Sequence, residues 1–216
     1  LEAYHIHHLY RRTPIGLRTC TPKPLEDRKT PPAWNWTPLM QPRLLINAKW
    51  RVHPQTTGVQ RYAEGLIGAM ESSGLDTTLA IPPSPNRWRA MLWEQRTLPK
   101  IASGYDALLC PANMAPGQLD PAVRLLVTIH CLRFRFHPES YSPAFVRWYE
   151  HMIPRIIERA DTILTVSRAQ QAEIESQYPA SIGKIEQLAP GVDPVFRPGY
   201  APDSTTPAGP YLLFLG

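Results

Sequence analysis

The sequence predicts an α/β fold in which an open parallel sheet carries helices on both faces. Short apolar stretches recur between residues 43 and 189, and such stretches are typical of buried parallel strands. Between them lie segments whose apolar residues recur at i, i+3 and i+4, the spacing of core-facing helices. One apolar run, residues 160–167, passes directly into a helix at a serine. This alternation predicts one Rossmann-like domain over about residues 43–189.

The first predicted unit is a strand, a loop and a helix. Residues 44–46 form a short apolar run, consistent with a buried parallel strand. The helix begins after the loop at Gly58. Its core-facing positions are Val59, Tyr62, Ala63, Leu66, Ile67 and Met70. A second strand is predicted over residues 77–81, where two prolines close it.

The middle of the chain continues the alternation. Residues 87–101 are predicted to be helical in part, with Pro99 limiting the end of the helix. Residues 105–110 and 123–129 are two further apolar runs and predict the next two strands. The segment 133–137, in which basic and aromatic residues alternate, is predicted to be a loop.

A long amphipathic helix follows. Ser142 precedes Pro143, and proline is favoured at the first helical position because no donor is lost there. Pro154 lies inside this helix and should kink it. The apolar face is formed by Phe145, Trp148, Tyr149, Met152, Ile153, Ile156 and Ile157.

The last predicted unit runs from strand to helix to strand. Residues 160–167 end at Ser167, and Ser167 with Gln170 has the form of a helix capping box. Residues 184–189 predict a short strand. The stretch 190–198 contains prolines and a glycine that a helix or central strand would not accommodate, so it is predicted to be a loop.

Composition excludes several classes of protein. The net charge is +5, but residues 1–42 hold six basic and three acidic residues, which leaves the remainder near +2. No basic cluster indicates a nucleic-acid partner. Three cysteines form neither a metal-binding spacing nor an even set, so a reducing cytosol is the simpler interpretation. No apolar run approaches the roughly 20 residues of a membrane-spanning helix. There is also no G-x-G-x-x-G, which argues against a dinucleotide dehydrogenase.

Four segments carry a resemblance to a known family. The first segment begins with Ala160-Asp161 and ends with Thr165-Val166-Ser167. The second begins with Pro190-Gly191-Val192-Asp193 and also contains Phe196 and Pro198. The third segment contains Val127 and His130, followed by Pro138-Glu139. The fourth begins at Gly58 and ends with Arg61-Tyr62. In this order they resemble the N-terminal domain of family-4 glycosyltransferases, the retaining sugar transferases of the GT-B fold. Two positions depart from the family pattern, because Cys131 stands where an aspartate is usual and Thr57 where a glycine is frequent.

The resemblance implies a division of the chain. Residues 1–39 are interpreted as a leader or disordered extension, with an ordered arm as the alternative. Residues 40–198 would form the acceptor-side domain. Residues 199–216 would be a linker and the first strand of a second, donor-binding domain. The fragment alone is then expected to be inactive.

The resemblance also implies an activity. It is the transfer of a sugar from a nucleotide diphosphate sugar to a glycan or lipid-linked acceptor in polysaccharide biosynthesis. No cofactor or essential metal is expected, and the location would be cytoplasmic, with possible peripheral contact at the inner membrane face. A stand-alone binding module or inactive remnant, and a nucleotide-sugar epimerase, are the alternatives.

Five residues are candidates for the site. By resemblance, His130 is the catalytic candidate, positioned against the transferred sugar or the acceptor; a structural histidine is the alternative. Thr57 and Gly58 would face the donor diphosphate at a helix N-terminus, and a tight turn that needs a positive φ at Gly58 is equally consistent. Arg61 and Arg133 are assigned to acceptor binding, with ordinary solvated positions as the alternative. Core packing is favoured for Tyr62.

Overall fold

A computed structural model describes residues 42–52, 57–191 and 210. In this part of the chain six strands form one sheet in the order β2-β1-β3-β4-β5-β6. All five neighbouring pairs are parallel. The strands are β1 (Leu44–Asn47), β2 (Thr77–Ala80), β3 (Ala107–Cys110), β4 (Arg124–Thr128), β5 (Thr162–Thr165) and β6 (Ile185–Gln187). The chain winds outward from β1 to β2 and then reverses, so the direction changes between β1 and β3.

Helices connect the strands. The α-helices are α1 (Gly58–Ser72), α2 (Arg87–Arg96), α3 (Leu98–Ala102), α4 (Arg133–Phe136), α5 (Pro143–Arg159) and α6 (Arg168–Gln177). Short 3-10 turns occupy Lys49–Val52, Pro138–Ser140 and Pro179–Ser181. No helix of the described ranges is both long enough and apolar enough to cross a membrane.

The two faces of the sheet have separate cores. On one face α1 contributes Ala63 and Ile67, which pack with side chains of β1 and β3. On the other face α2, α3, α5 and α6 contribute to a larger core. Its buried residues from these helices include Trp93, Leu98, Ala102, Met152, Ile153, Ile156, Ile157 and Ile174. Successive strand side chains point to opposite faces, so Leu45 lies in one core while Leu44 and Ile46 lie in the other. The open parallel sheet with helices on both faces is therefore confirmed.

Pro99 does not end a helix as predicted. The break comes at Thr97, which separates α2 from α3, and Pro99 lies in the first turn of α3. A proline is tolerated there because the first-turn amides have no intrahelical acceptor. The prediction of a helix limited by Pro99 was therefore wrong in its boundary.

The loop predicted over residues 133–137 is also wrong. The segment forms the single helical turn α4, and the backbone N–H of His137 donates to the Arg133 carbonyl at 2.8 Å. The turn buries Phe134, which is 3% exposed, while Phe136 is 48% exposed. Burial of one aromatic ring favours the turn over an extended loop.

Both predicted helix starts are capped by a serine, but the capping box predicted at Ser167 forms only in part. The Ser142 hydroxyl accepts the Phe145 N–H at 3.3 Å, and α5 continues through Pro154. The kink at Pro154 stays a prediction. The Ser167 hydroxyl accepts the Gln170 N–H at 3.2 Å. The reciprocal half of the capping box is missing, because the buried Gln170 Oε1 has no hydrogen-bond partner among the described residues.

Some predictions fall outside the described residues. They concern the extension over residues 1–39, most of the loop 190–198, and the linker and strand over residues 199–216. The division of the chain into an acceptor-side domain over residues 40–198 and an absent second domain stays a prediction.

Candidate functional site

Polar side chains lie at the carboxyl ends of the strands. Asn47 and Cys110 are the last residues of β1 and β3, and His130 follows β4 by two residues. Because all the strands are parallel, these ends meet along one edge of the sheet. In open α/β sheets ligands bind outside this edge, at the point where the winding reverses. Asn47 and Cys110 flank that point.

A buried polar cluster occupies the reversal point. The Asn47 side-chain amide donates to Glu94 Oε1 at 2.7 Å, and Lys49 Nζ donates to Glu94 Oε2 at 2.5 Å. The Glu94 side chain is fully buried, whereas that of Lys49 is 25% exposed. A buried carboxylate needs such partners because removal from water penalises its charged form. The cluster therefore ties α2 to the end of β1.

Cys110 lies beside this cluster, and its thiol is unreactive. Its thiol is 3.9 Å from the Asn47 amide nitrogen and is completely buried. Burial raises the pKa of the Cys110 thiol, and the nearby Glu94 carboxylate raises it further. The reactive form of cysteine is the thiolate, so Cys110 is a packing residue.

His130 is held by two hydrogen bonds from the loop that follows β3. Its ring nitrogen Nε2 lies 2.9 Å from the Pro111 carbonyl oxygen. Its backbone N–H donates to Asn113 Oδ1 at 2.7 Å. A carbonyl oxygen only accepts, so Nε2 must carry the proton. The ring orientation and the tautomer are thus set by the neighbouring strand's loop.

Burial favours the neutral form of the His130 imidazole. Burial lowers the pKa of His130 from its ordinary 6.5, and the hydrogen bond to Pro111 only partly offsets this effect. With the proton on Nε2, the other nitrogen Nδ1 carries a lone pair. It makes no hydrogen bond to any described residue. His130 therefore offers one free acceptor atom at the edge of the sheet.

Asn113 adopts a backbone conformation that supports this arrangement. Its φ is 63°, and it is the only non-glycine residue of the described ranges with a positive φ. Asparagine tolerates this left-handed conformation better than most residues. Its backbone N–H donates to the Thr128 carbonyl at 3.0 Å, which fixes the loop to β4. The Asn113 side chain can then hold the His130 backbone.

Tyr62 connects α1 to His130. The two rings meet edge to face, with centroids 4.8 Å apart and an interplanar angle of 86°. Tyr62 is 9% exposed, so its predicted core position is confirmed. Burial raises the pKa of Tyr62, and the nearby Thr128 hydroxyl partly offsets the shift. Neither hydroxyl has a hydrogen bond of standard geometry within the described residues.

Thr57 and Gly58 lie at the start of α1. Thr57 is the N-cap, and its backbone N–H donates to Gln60 Oε1 at 2.6 Å. Among the described glycines a left-handed backbone occurs at Gly74 and Gly183, not at Gly58. The tight-turn alternative for Gly58 is therefore wrong. Among the described residues, nothing lies within 4 Å of a Cβ atom built at Gly58.

The remaining candidates are exposed. Arg61 lies on the first turn of α1, and Arg133 opens α4. Neither makes a hydrogen bond or ion pair with His130. Cys131 is an exposed free thiol, and no described side chain hydrogen-bonds to it, so no activating base is in place. The structure thus brings Tyr62 and His130 together and leaves the two arginines at the surface.

Within the described residues, no group of three or more His, Cys, Asp or Glu side chains is arranged to hold a metal ion.

The fold and this edge define an α/β domain whose polar residues gather where such sheets bind their ligands. A family model described as Glycosyltransferase Family 4 matches residues 70–196, more than half of the chain. The chain belongs to this family, and it is a glycosyltransferase domain. A search of curated proteins finds no match. His130 and Arg133 lie inside the matched region, whereas Thr57, Gly58 and Arg61 precede it.

Sequence reasoning did not single out Asn47, Lys49, Glu94 or Asn113. For Glu94 a signal existed, since it shares a helix face with Ala90 and would be buried with it. Asn47 also carried a signal, because it ends an apolar run as His130 does. Asn113 carried none, because its left-handed backbone and long-range contact arise only in the fold.

The buried cluster yields a stability prediction. Replacement of Glu94 by Gln removes the charge that pairs with Lys49 and should lower the unfolding free energy by about 2–3 kcal/mol. The matched control is Glu64→Gln. Glu64 also pairs with a cation of the same 3-10 turn, Arg51, but its side chain is 43% exposed. That change should cost less than about 1 kcal/mol. Urea denaturation measures both, and equal losses would contradict the assignment of a buried pair.

The lowered pKa of His130 predicts a pH dependence of stability. Between the folded and unfolded pKa values the unfolded chain binds more protons at this residue, so stability rises with pH. The contribution of His130 is present above about 6.5, the ordinary pKa, and is lost as pH falls through the lower folded pKa. Denaturation at pH 7.5 and 5.5 should show a smaller loss in His130→Gln than in the wild type. The same loss in both proteins would show that the ring is not buried neutral.

Proposed function

We propose that this domain forms the acceptor side of a retaining glycosyltransferase. The enzyme would move a sugar from a nucleotide diphosphate sugar to a glycan or lipid-linked acceptor in polysaccharide biosynthesis. The observation that carries the proposal is the neutral His130 at the sheet edge, with its Nε2 proton committed to Pro111 and its Nδ1 lone pair free. This is the chemistry of a positioning hydrogen-bond acceptor.

In the proposed reaction Nδ1 of His130 accepts a hydrogen bond from a hydroxyl of the transferred sugar or the acceptor. A neutral ring suits this role, because a protonated imidazole has no lone pair to offer. Tyr62 packs edge to face against the ring and the Pro111 carbonyl holds Nε2, so both contacts restrict the ring's movement. A contact held in place before the reaction costs little reorganisation and contributes most in a water-poor cleft.

The donor diphosphate would lie against the start of α1. The first amides of a helix have no intrahelical acceptors and attract anions. No described residue obstructs the backbone at Gly58, which supports the approach of a phosphate. The contact between Tyr62 and His130 supports a position of this helix start near the proposed sugar. Nucleotide recognition would come from a second domain of the GT-B fold.

Acceptor recognition and location follow the same proposal. Arg61 and Arg133 are exposed cations that would contact the acceptor. Phe136 is exposed on α4, one turn after Arg133, and a pair of this kind supports peripheral contact at the inner face of a membrane. A cytoplasmic location and a reaction without an essential metal are part of the proposal, which includes no nucleic-acid partner. Transfer is expected to continue in EDTA.

The role of His130 predicts a loss of transfer in the enzyme that contains this domain. His130→Ala should lower transfer by a factor of order 10², since such a contact is worth about 3 kcal/mol in the transition state. The melting temperature should change little. Cys131→Ser is the control, and it should cost far less because the thiol has no described hydrogen-bond partner. Steady-state transfer with a panel of nucleotide sugars measures both.

Three results would contradict this account. The first is unfolding of His130→Ala with full activity in the remaining folded protein, which would make the histidine structural. The second is a full-length protein that binds nucleotide sugars without any transfer or hydrolysis, which would favour a binding module. The third is epimerised donor without acceptor glycosylation, which would favour the epimerase alternative.

The position of Gly58 yields a separate prediction. Gly58→Ala should leave stability unchanged or slightly raised, because the Cβ atom meets no described neighbour and alanine favours helix. It should weaken the binding of the nucleotide diphosphate sugar several-fold, since the methyl group occupies the space proposed for the phosphate. Gly65→Ala, also on α1 and also unobstructed, is the matched control. Unchanged donor affinity in Gly58→Ala would remove the phosphate from this position.

A further inference from the structure

An open cavity of about 640 Å³ lies between α2 and α5. Two of its lining residues connect it to the site described above. Lys49 lines the cavity and pairs with Glu94 in the buried cluster. Met114 lines it and directly follows Asn113, the residue that holds His130. The cavity therefore opens beside the sheet edge that carries His130.

The cavity has an uncompensated positive charge. Its described lining contains Arg87 and Arg147 together with Lys49, and no aspartate or glutamate. Glu94 neutralises Lys49. Neither arginine forms an ion pair within the described residues. Arginine carries its charge at any working pH and binds phosphate oxygens through a fork of donors. These two side chains favour an anionic group, and phosphate suits them best.

The rest of the described cavity wall is mostly apolar, although Tyr149 and His151 also carry polar side-chain atoms. Trp88 is 58% exposed, which is unusual for so large a ring on a protein surface. On the α5 side Phe145 stacks on Tyr149, with centroids 4.0 Å apart, and Trp148 lies beside them in the lining. Aromatic pairs of this kind form a rigid wall.

The residues that line the cavity favour an apolar ligand over a hydroxyl-rich one. Its described residues include Met91, Met114, Ala90 and Ala144 but no Asn, Gln, Ser, Thr, Asp or Glu. Those absent residue types supply most of the paired donors and acceptors that satisfy sugar hydroxyls. Apart from Tyr149 and His151, the uncharged lining offers a glycan body few partners for its hydroxyls, and each hydroxyl buried without a partner has a cost. A hydrocarbon chain carries no such cost and gains from burial.

We propose that this cavity binds an amphipathic phosphate, with the phosphate between Arg87 and Arg147 and a hydrocarbon chain against Trp88 and Trp148. This assignment rests on the proposed function: the cavity is then the binding site for the phosphate head group and the first chain segment of a lipid-phosphate acceptor. The position beside Asn113 and Met114 brings that head towards His130.

Binding of geranyl phosphate to the 216-residue chain tests this assignment. Isothermal titration calorimetry compares it with geraniol, which lacks the phosphate, and with glucose 1-phosphate, which has a polar body. Geranyl phosphate should bind about tenfold or more tightly than either compound. Geraniol lacks the charge-assisted hydrogen bonds of the phosphate, and glucose 1-phosphate lacks the apolar contacts of the hydrocarbon chain. Glucose 1-phosphate binding as tightly as geranyl phosphate would overturn the assignment of a hydrocarbon chain.

Variants locate the ligand. Arg87→Gln with Arg147→Gln should weaken geranyl phosphate binding about tenfold and leave geraniol binding unchanged. The control is Arg89→Gln with Arg155→Gln. These residues lie on the same two helices, are exposed outside the cavity and change the net charge equally. Circular dichroism checks that each variant is folded.

Three outcomes would overturn the assignment of geranyl phosphate to this cavity. They are unchanged geranyl phosphate affinity in the first pair of variants, equal losses in both pairs, and unchanged affinity in Trp148→Ala. The titrations contain no nucleotide sugar and require no turnover. Failure of sugar transfer by the enzyme would therefore leave this result standing, and failure of binding would leave transfer to another acceptor open to test.

Discussion

The strand order β2-β1-β3-β4-β5-β6 imposes the constraint on which the site depends. The crossover through α1 leads from β1 outward to β2, and the next one returns past β1 to β3. The ends of β1 and β3 therefore adjoin a crevice where the winding reverses. Asn47 and Cys110 stand at these ends. Polar groups there cannot reach bulk water and must find partners. The carboxylate of Glu94, fully buried on α2, supplies one, and Lys49 balances its charge.

This arrangement fixes the surroundings of His130 in turn. The loop after β3 runs from Cys110 through Pro111 to Asn113, and it provides both hydrogen-bond partners of the histidine. The loop geometry, not a neighbouring charge, sets the tautomer. Burial then lowers the pKa of His130 and leaves Nδ1 as a free acceptor. His130 therefore presents one hydrogen-bond acceptor near the sheet edge.

The larger features of the fold could be read from the sequence, and the site could be read in part. Apolar runs predicted β1, β3, β4 and β5, and the i, i+3, i+4 pattern predicted α1 and α5, because both signals are local. The place of Pro99 and the turn at Arg133 were misjudged, since each depends on packing against other elements. The contact of Tyr62 with His130 and the left-handed Asn113 could not be predicted, because they join residues far apart in the chain.

The most direct test of the account is the protonation state of His130 at pH 7. Long-range proton–nitrogen NMR of the ¹⁵N-labelled chain, assigned by comparison with His130→Gln, reports which ring nitrogen carries the proton. The account predicts a neutral ring protonated at Nε2, with Nδ1 free, and a titration midpoint below the ordinary 6.5. A ring protonated on both nitrogens at pH 7, or a neutral ring with the proton on Nδ1, would contradict it.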